Sequence, residues 1–161
     1  MDKILLSLKW RKLRLRVWNK RLQDQLSLLS TRMNLSIPCL LHVSWGPFYG
    51  GSVVVERRRR KATILIQIPY DGHITTNEQE VMATYHIPKR ALPYFILFHE
   101  FSHLLDALPY INADKNQVLQ TYQSKLKKEA RLTKDYRNLN FEEKADYFAF
   151  EQYQNSFGQV S

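Results

Sequence analysis

At 161 residues the chain is long enough for one domain with a real core and short for two. A hydrophobic content of 44% with 12% aromatics excludes a disordered chain, and the single cysteine, Cys39, excludes both an internal disulfide and a thiolate cluster. The net charge of +9 is uneven: residues 1–61 carry 14 of the 24 Lys and Arg against three acids, giving +11, and residues 62–161 carry −2. Basic character therefore belongs to the first third, where it serves solubility or an acidic or nucleic-acid partner.

Residues 1–34 read as one long basic amphipathic helix. Leu8, Leu15, Leu22 and Leu29 repeat every seven residues, with Trp18, Leu26 and Met33 on the same side. A leucine stripe suits core packing better than a free arm, although Lys9, Arg11, Lys12, Arg14, Arg16, Lys20 and Arg21 crowd the remaining surface of its first half. The same charges follow Ile4-Leu5-Leu6 too soon for a signal-peptide core, and no apolar run reaches the roughly eighteen residues of a membrane span. The expectation is a cytoplasmic protein without a membrane partner.

A small sheet is expected over residues 38–70. Leu40–Trp45, Gly51–Glu56 and Ala62–Ile68 are rich in Val and Ile and separated by turn signals, with Arg57 to Lys61 as an exposed hairpin tip. If Ala62–Ile68 is the edge nearest the site described next, an extended substrate could pair with it. Residues 69–87 read as a polar connection with a turn at Asp71-Gly72, a flap in which His73 and His86 are candidate oxyanion donors.

Residues 88–107 carry the chemistry. Pro88 and Pro93 bracket the start of an apolar helical run that Leu108-Pro109 should end, and inside it lies His99-Glu100-Phe101-Ser102-His103. Residues four apart share one helix face, so His99 and His103 can close on one Zn2+ ion through two imidazole nitrogens. Glu100 is turned about one hundred degrees away, where its carboxylate can serve as general base toward a water at the metal. Two histidines and a glutamate in so apolar a segment are costly unless something satisfies them.

A third ligand is needed, and no histidine follows His103. Asp106 and Pro109 stand where an extended H-E-x-x-H-x-x-G-x-x-H pattern needs glycine and histidine, so that pattern fails. Asp106 is a weak candidate from the same helix. The better one lies in a helix over residues 140–155, where an Asn140 N-cap signal precedes apolar positions 141, 145, 148 and 149. Glu142 and Asp146, four apart, border that apolar face: Glu142 as metal ligand, and Asp146 orienting a ligand imidazole. Between them, residues 112–131 look like a polar, lysine-rich covering helix, and Tyr122 and Tyr136 are further oxyanion candidates.

H-E-x-x-H followed some forty residues later by E-x-x-A-D-x-F-A resembles the ImmA/IrrE-type zinc peptidases, over about residues 88–106 and 140–155. One departure is Ser102, where the family commonly has glycine. The resemblance implies a compact metallopeptidase with His99, His103 and Glu142 as ligands and Glu100 as base. It also implies cleavage of DNA-binding, helix-turn-helix repressors, often on mobile genetic elements such as phage or in stress responses. The expected architecture is α+β: one zincin-like domain over 1–161, with a long first helix, a small and mostly antiparallel three-stranded sheet, the metal-binding helix and a C-terminal helix with the third ligand. Two rival functions stand beside the zinc endopeptidase. One is a nucleic-acid-associated protein that uses its basic first third; the other is a metal-stabilised interaction module that does not cleave.

Overall fold

The computed structural model describes residues 2–112 and 140–158. The expected covering helix, past Asn112, lies outside the described residues, as do Tyr122 and Tyr136. Helix α1 spans Asp2–Arg32. Leu22, Leu26 and Leu29, spaced along one face, are 0–2% exposed and join the main core. Along residues 9–21, by contrast, only Leu15 and Trp18 are even partly covered. Asn34, in the left-handed region with φ 49°, turns the chain away from the helix.

Strands β1 (Cys39–Gly46), β2 (Gly50–Glu56) and β3 (Lys61–Pro69) form one sheet in the order β1-β3-β2. The sheet is mixed: β2 runs antiparallel to β3, with Val53 opposite Ile64, and β1 runs parallel to it, with Val43 opposite Ile66. A tight 3-10 turn at Arg57–Arg59 and a left-handed Arg60 (φ 47°) reverse the chain between β2 and β3. Glu56 accepts from Lys61 at 2.9 Å and pairs with Arg59 at 3.3 Å, which offsets part of the repulsion in that basic run. Because β1 takes the free side of β3, Ala62–Ile68 is the central strand and not an edge; β2 is the edge strand beside the metal-motif helix. Ala62, Ile64, Ile66 and Ile68 alternate into the core.

The connection over 69–87 contains a helix, α2 (Thr76–Tyr85), where a flap was expected. Its start is fixed by the Glu78 carboxylate, which accepts from the Thr75 backbone N–H at 2.6 Å and from the Thr75 hydroxyl at 2.5 Å. Its end is His86, at φ 51°. Val81 is buried, and Tyr85 packs between Phe95 (5.4 Å) and Phe150 (5.3 Å).

A 3-10 turn at Lys89–Ala91 leads into α3 (Leu92–Asn112), which is apolar nearly all round. Pro109 does not end it. The last turn continues because Ile111, 6% exposed, joins Ile37, Ala62 and Leu104 in a second apolar cluster, which offsets the lost backbone bond. Helix α4 (Asn140–Phe157) packs on α3 through Ala145 and Ala149, both fully buried and small enough for close approach. Lys144 donates to Asp106 across the same interface. The end of α4 is held to Phe157 by ring contacts of Phe157 with Tyr94 (4.9 Å) and Tyr153 (5.3 Å). Among the described residues, no helix is long and apolar enough to cross a membrane.

Candidate metal centre

One turn of α3 and the first turns of α4 meet over a cavity of about 360 Å3. The i, i+4 spacing stacks His99 above His103, with ring centroids 4.7 Å apart and planes nearly perpendicular at 84°. Glu142 reaches them from α4. His99 Nε2 lies 3.0 Å from His103 Nε2 and 3.1 Å from Glu142 Oε2, and His103 Nε2 lies 3.5 Å from Glu142 Oε1. The three side chains each offer a ligand atom within 4.8 Å of the others.

These spacings suit a tetrahedral cation. Ligand distances near 2.0–2.2 Å put neighbouring donors roughly 3.3 Å apart, and the observed separations fall on either side of that. Two imidazoles and a carboxylate form a donor set for a divalent transition metal. Asp106, the weak alternative, is not in this cluster and instead accepts from Lys144.

Asp146, one turn after Glu142 and 7% exposed, lies 2.8 Å from His99 Nδ1. A carboxylate only accepts, so Nδ1 donates to Asp146, and Nε2, turned toward Glu142, is the nitrogen that would give up its proton to a metal. Burial opposes a charge on His99, but hydrogen bonds to Asp146 and Glu142, with the charges of Asp146 and Glu100, outweigh it and raise its pKa to about 9. The Phe141 ring, 5.9 Å away, flanks His103.

Glu100 lines the cavity and is 8% exposed. Burial raises its pKa; the two histidines pull it back and Glu142 pushes it up again. What lets its side chain lie against β2 is Gly51. A Cβ at that position would sit 2.6 Å from Glu100 Cγ, from Glu100 Oε1 and from Ile96 Cγ2. Gly51, expected to open the second strand, sits in β2 opposite Ile66. A glycine within a strand run is the mark of close backbone approach, and that is its role here.

Two further walls were not expected. Asn77, Glu78 and Val81 of α2 line the cavity, as does Tyr49 just before β2; the sequence signal for the first was Thr75-x-x-Glu78. His73 and His86 do not line it. His73 instead packs edge-on against Phe48 at 5.9 Å. Burial pushes the Cys39 thiol up to about 11, against a backbone hydrogen bond at Ile64, so it stays protonated at neutral pH.

An α+β fold whose buried His/His/Glu cluster opens into a cavity, with a glutamate beside it, is consistent with a zincin-like metallopeptidase. In comparisons with known proteins, no family model, no curated protein and no solved structure matches the chain.

Proposed function

We propose that the protein is a zinc-dependent endopeptidase. The observation that carries this reading is the convergence of His99, His103 and Glu142 in one buried cluster, with Glu100 on the wall of the same cavity. Zinc held by the three residues would supply Lewis acidity, lowering the pKa of water and polarising a carbonyl. Glu100 takes a proton from the attacking water and delivers it to the leaving nitrogen as the C–N bond breaks. Its burial-raised pKa favours the first of these transfers, the uptake of the proton. Asp146 holds His99 in the tautomer that presents Nε2.

Among the described strands β2 pairs only with β3, so its outer edge offers main-chain groups to an extended polypeptide, taking the role first considered for β3. Val81, Leu92, Phe95 and Ile96 give the cavity apolar walls for a side chain. A non-cleaving, metal-stabilised module has no use for the buried carboxylate of Glu100. The resemblance of the two metal-bearing helices to ImmA/IrrE-type peptidases makes DNA-binding repressors the first substrates to try.

Metal analysis combined with mass spectrometry of repressors incubated with the protein tests the reading. Stoichiometric zinc, cleavage abolished by chelation and restored by zinc, and loss of metal in Glu142→Ala are expected. Parent-like metal content in Glu142→Ala would remove Glu142 from the coordination set.

A further inference from the structure

The basic helix α1 packs on the sheet at the end of β1. There, Arg14 of α1 lies over the Trp45 ring at 5.6 Å and Arg11 over the Tyr70 ring at 5.5 Å. The two rings are themselves 6.0 Å apart, and Trp45 Nε1 donates to the Arg11 carbonyl at 3.3 Å, pinning α1 to the end of β1. A guanidinium resting on an aromatic face keeps its in-plane N–H groups for another acceptor. Both arginines are exposed, and among the described residues neither has a carboxylate within ion-pair distance. No acid lies between Asp2 and Asp24 to neutralise this stretch.

Trp45 stands at the end of β1, and the short connection from there to β2 passes through Tyr49, which lines the cavity. The Tyr49 phenol, raised by burial and by the Glu78 charge, feels the opposing charge of Arg14. A ligand crossing from α1 into the cavity therefore passes from positive charge to Glu78, Glu100, Glu142 and Asp146 set among apolar side chains. A polynucleotide carries a phosphate at every step and has no uncharged stretch to lay against Val81, Leu92, Phe95 and Ile96. A second copy of α1 would bring like charges together. A polypeptide with an acidic stretch next to apolar residues matches both halves.

We infer that Arg11 and Arg14, backed by Tyr70 and Trp45, form a docking site for an acidic segment of the polypeptide whose adjoining apolar residues enter the cavity. The inference rests on the peptidase reading for the fate of that polypeptide, but not for its binding.

The test uses the full-length, zinc-loaded Glu100→Gln protein and three labelled peptides. They share an apolar centre and carry a flank of four Glu, four Gln or four Lys; fluorescence anisotropy reads binding at low and high salt. The Glu-flanked peptide should bind about tenfold tighter than the Gln-flanked one at low salt, and the difference should vanish as salt screens it. Adding Arg11→Glu and Arg14→Glu should reverse the preference toward the Lys-flanked peptide, a gain that misfolding cannot produce. Equal affinities for all three peptides, or a Glu preference that survives the double reversal, would overturn the inference, as would an oligonucleotide that outcompetes the Glu-flanked peptide. Cleavage by the Glu100-bearing protein is read separately. Charge-selective binding without cutting would sink the peptidase reading alone, and cutting without charge preference would sink the docking site alone.

Discussion

Glu100 and Asp146 are both buried carboxylates facing histidines, yet they answer to different measurements. Glu100 belongs to no ligand pair, so Glu100→Gln should keep its zinc and lose about 10²- to 10⁴-fold in turnover, the range for a positioned general base. Equal loss of metal and turnover would make it a ligand. Asp146→Ala removes the acceptor 2.8 Å from His99 Nδ1 and should weaken zinc about 10- to 100-fold in a chelator competition. Unchanged affinity would reduce Asp146 to a packing residue. Gly51→Ala tests the close approach of β2. Its methyl would fall 2.6 Å from Glu100 Cγ and Oε1, and the carboxylate must give way. Turnover should fall by about 10²-fold, the cost of an ångström-scale misplacement, with zinc content held. Retained turnover would mean that Glu100 has room to spare.

Among the elements, α2 ties stability to the cavity wall. Thr75→Ala removes a hydroxyl from the box closed by Glu78 and should cost about 1 kcal/mol in denaturant unfolding; no change would show that the backbone N–H to Glu78 bond suffices as a cap. That helix also marks where the sequence stopped being legible. Periodicity reveals α1, α3 and α4 because each repeats its apolar positions over several turns, and the His99, His103 spacing is itself a product of that repeat. The Glu142 and Asp146 pair is legible for the same reason, as two acids on the rim of a buried stripe. In α2 only Val81 is buried, so no stripe exists to read, and Thr75 with Glu78 is the whole signal. The central position of β3 and the parallel partnership of β1 depend on which strands meet in space, as does the contact of Gly51 with Glu100. Local pattern carries none of these.

Across the whole molecule, the metal site couples folding to pH. Without metal, the folded His99 has a pKa of about 9 against the ordinary 6.5. Its raised pKa stabilises the metal-free fold fully below 6.5, and that contribution, on the order of 3 kcal/mol, is lost as pH rises through 9. Glu100, also raised, acts in the same direction at lower pH, because there too the folded state binds the proton more readily than the unfolded chain. Zinc requires a neutral imidazole, so it must expel the His99 proton below pH 9, and its apparent affinity should tighten about tenfold per pH unit from 6.5 to 9. Titration calorimetry at pH 7 in buffers of different ionisation enthalpy should then register about one proton released per zinc. Thermal unfolding supplies the matching readout: the metal-free protein should lose melting temperature steadily from pH 6.5 to 9, and the zinc-loaded protein should not. If the two forms instead ran parallel over that window, the His99 proton and the metal would not be competing for the same imidazole, and the cluster would hold its cation by some other set of atoms.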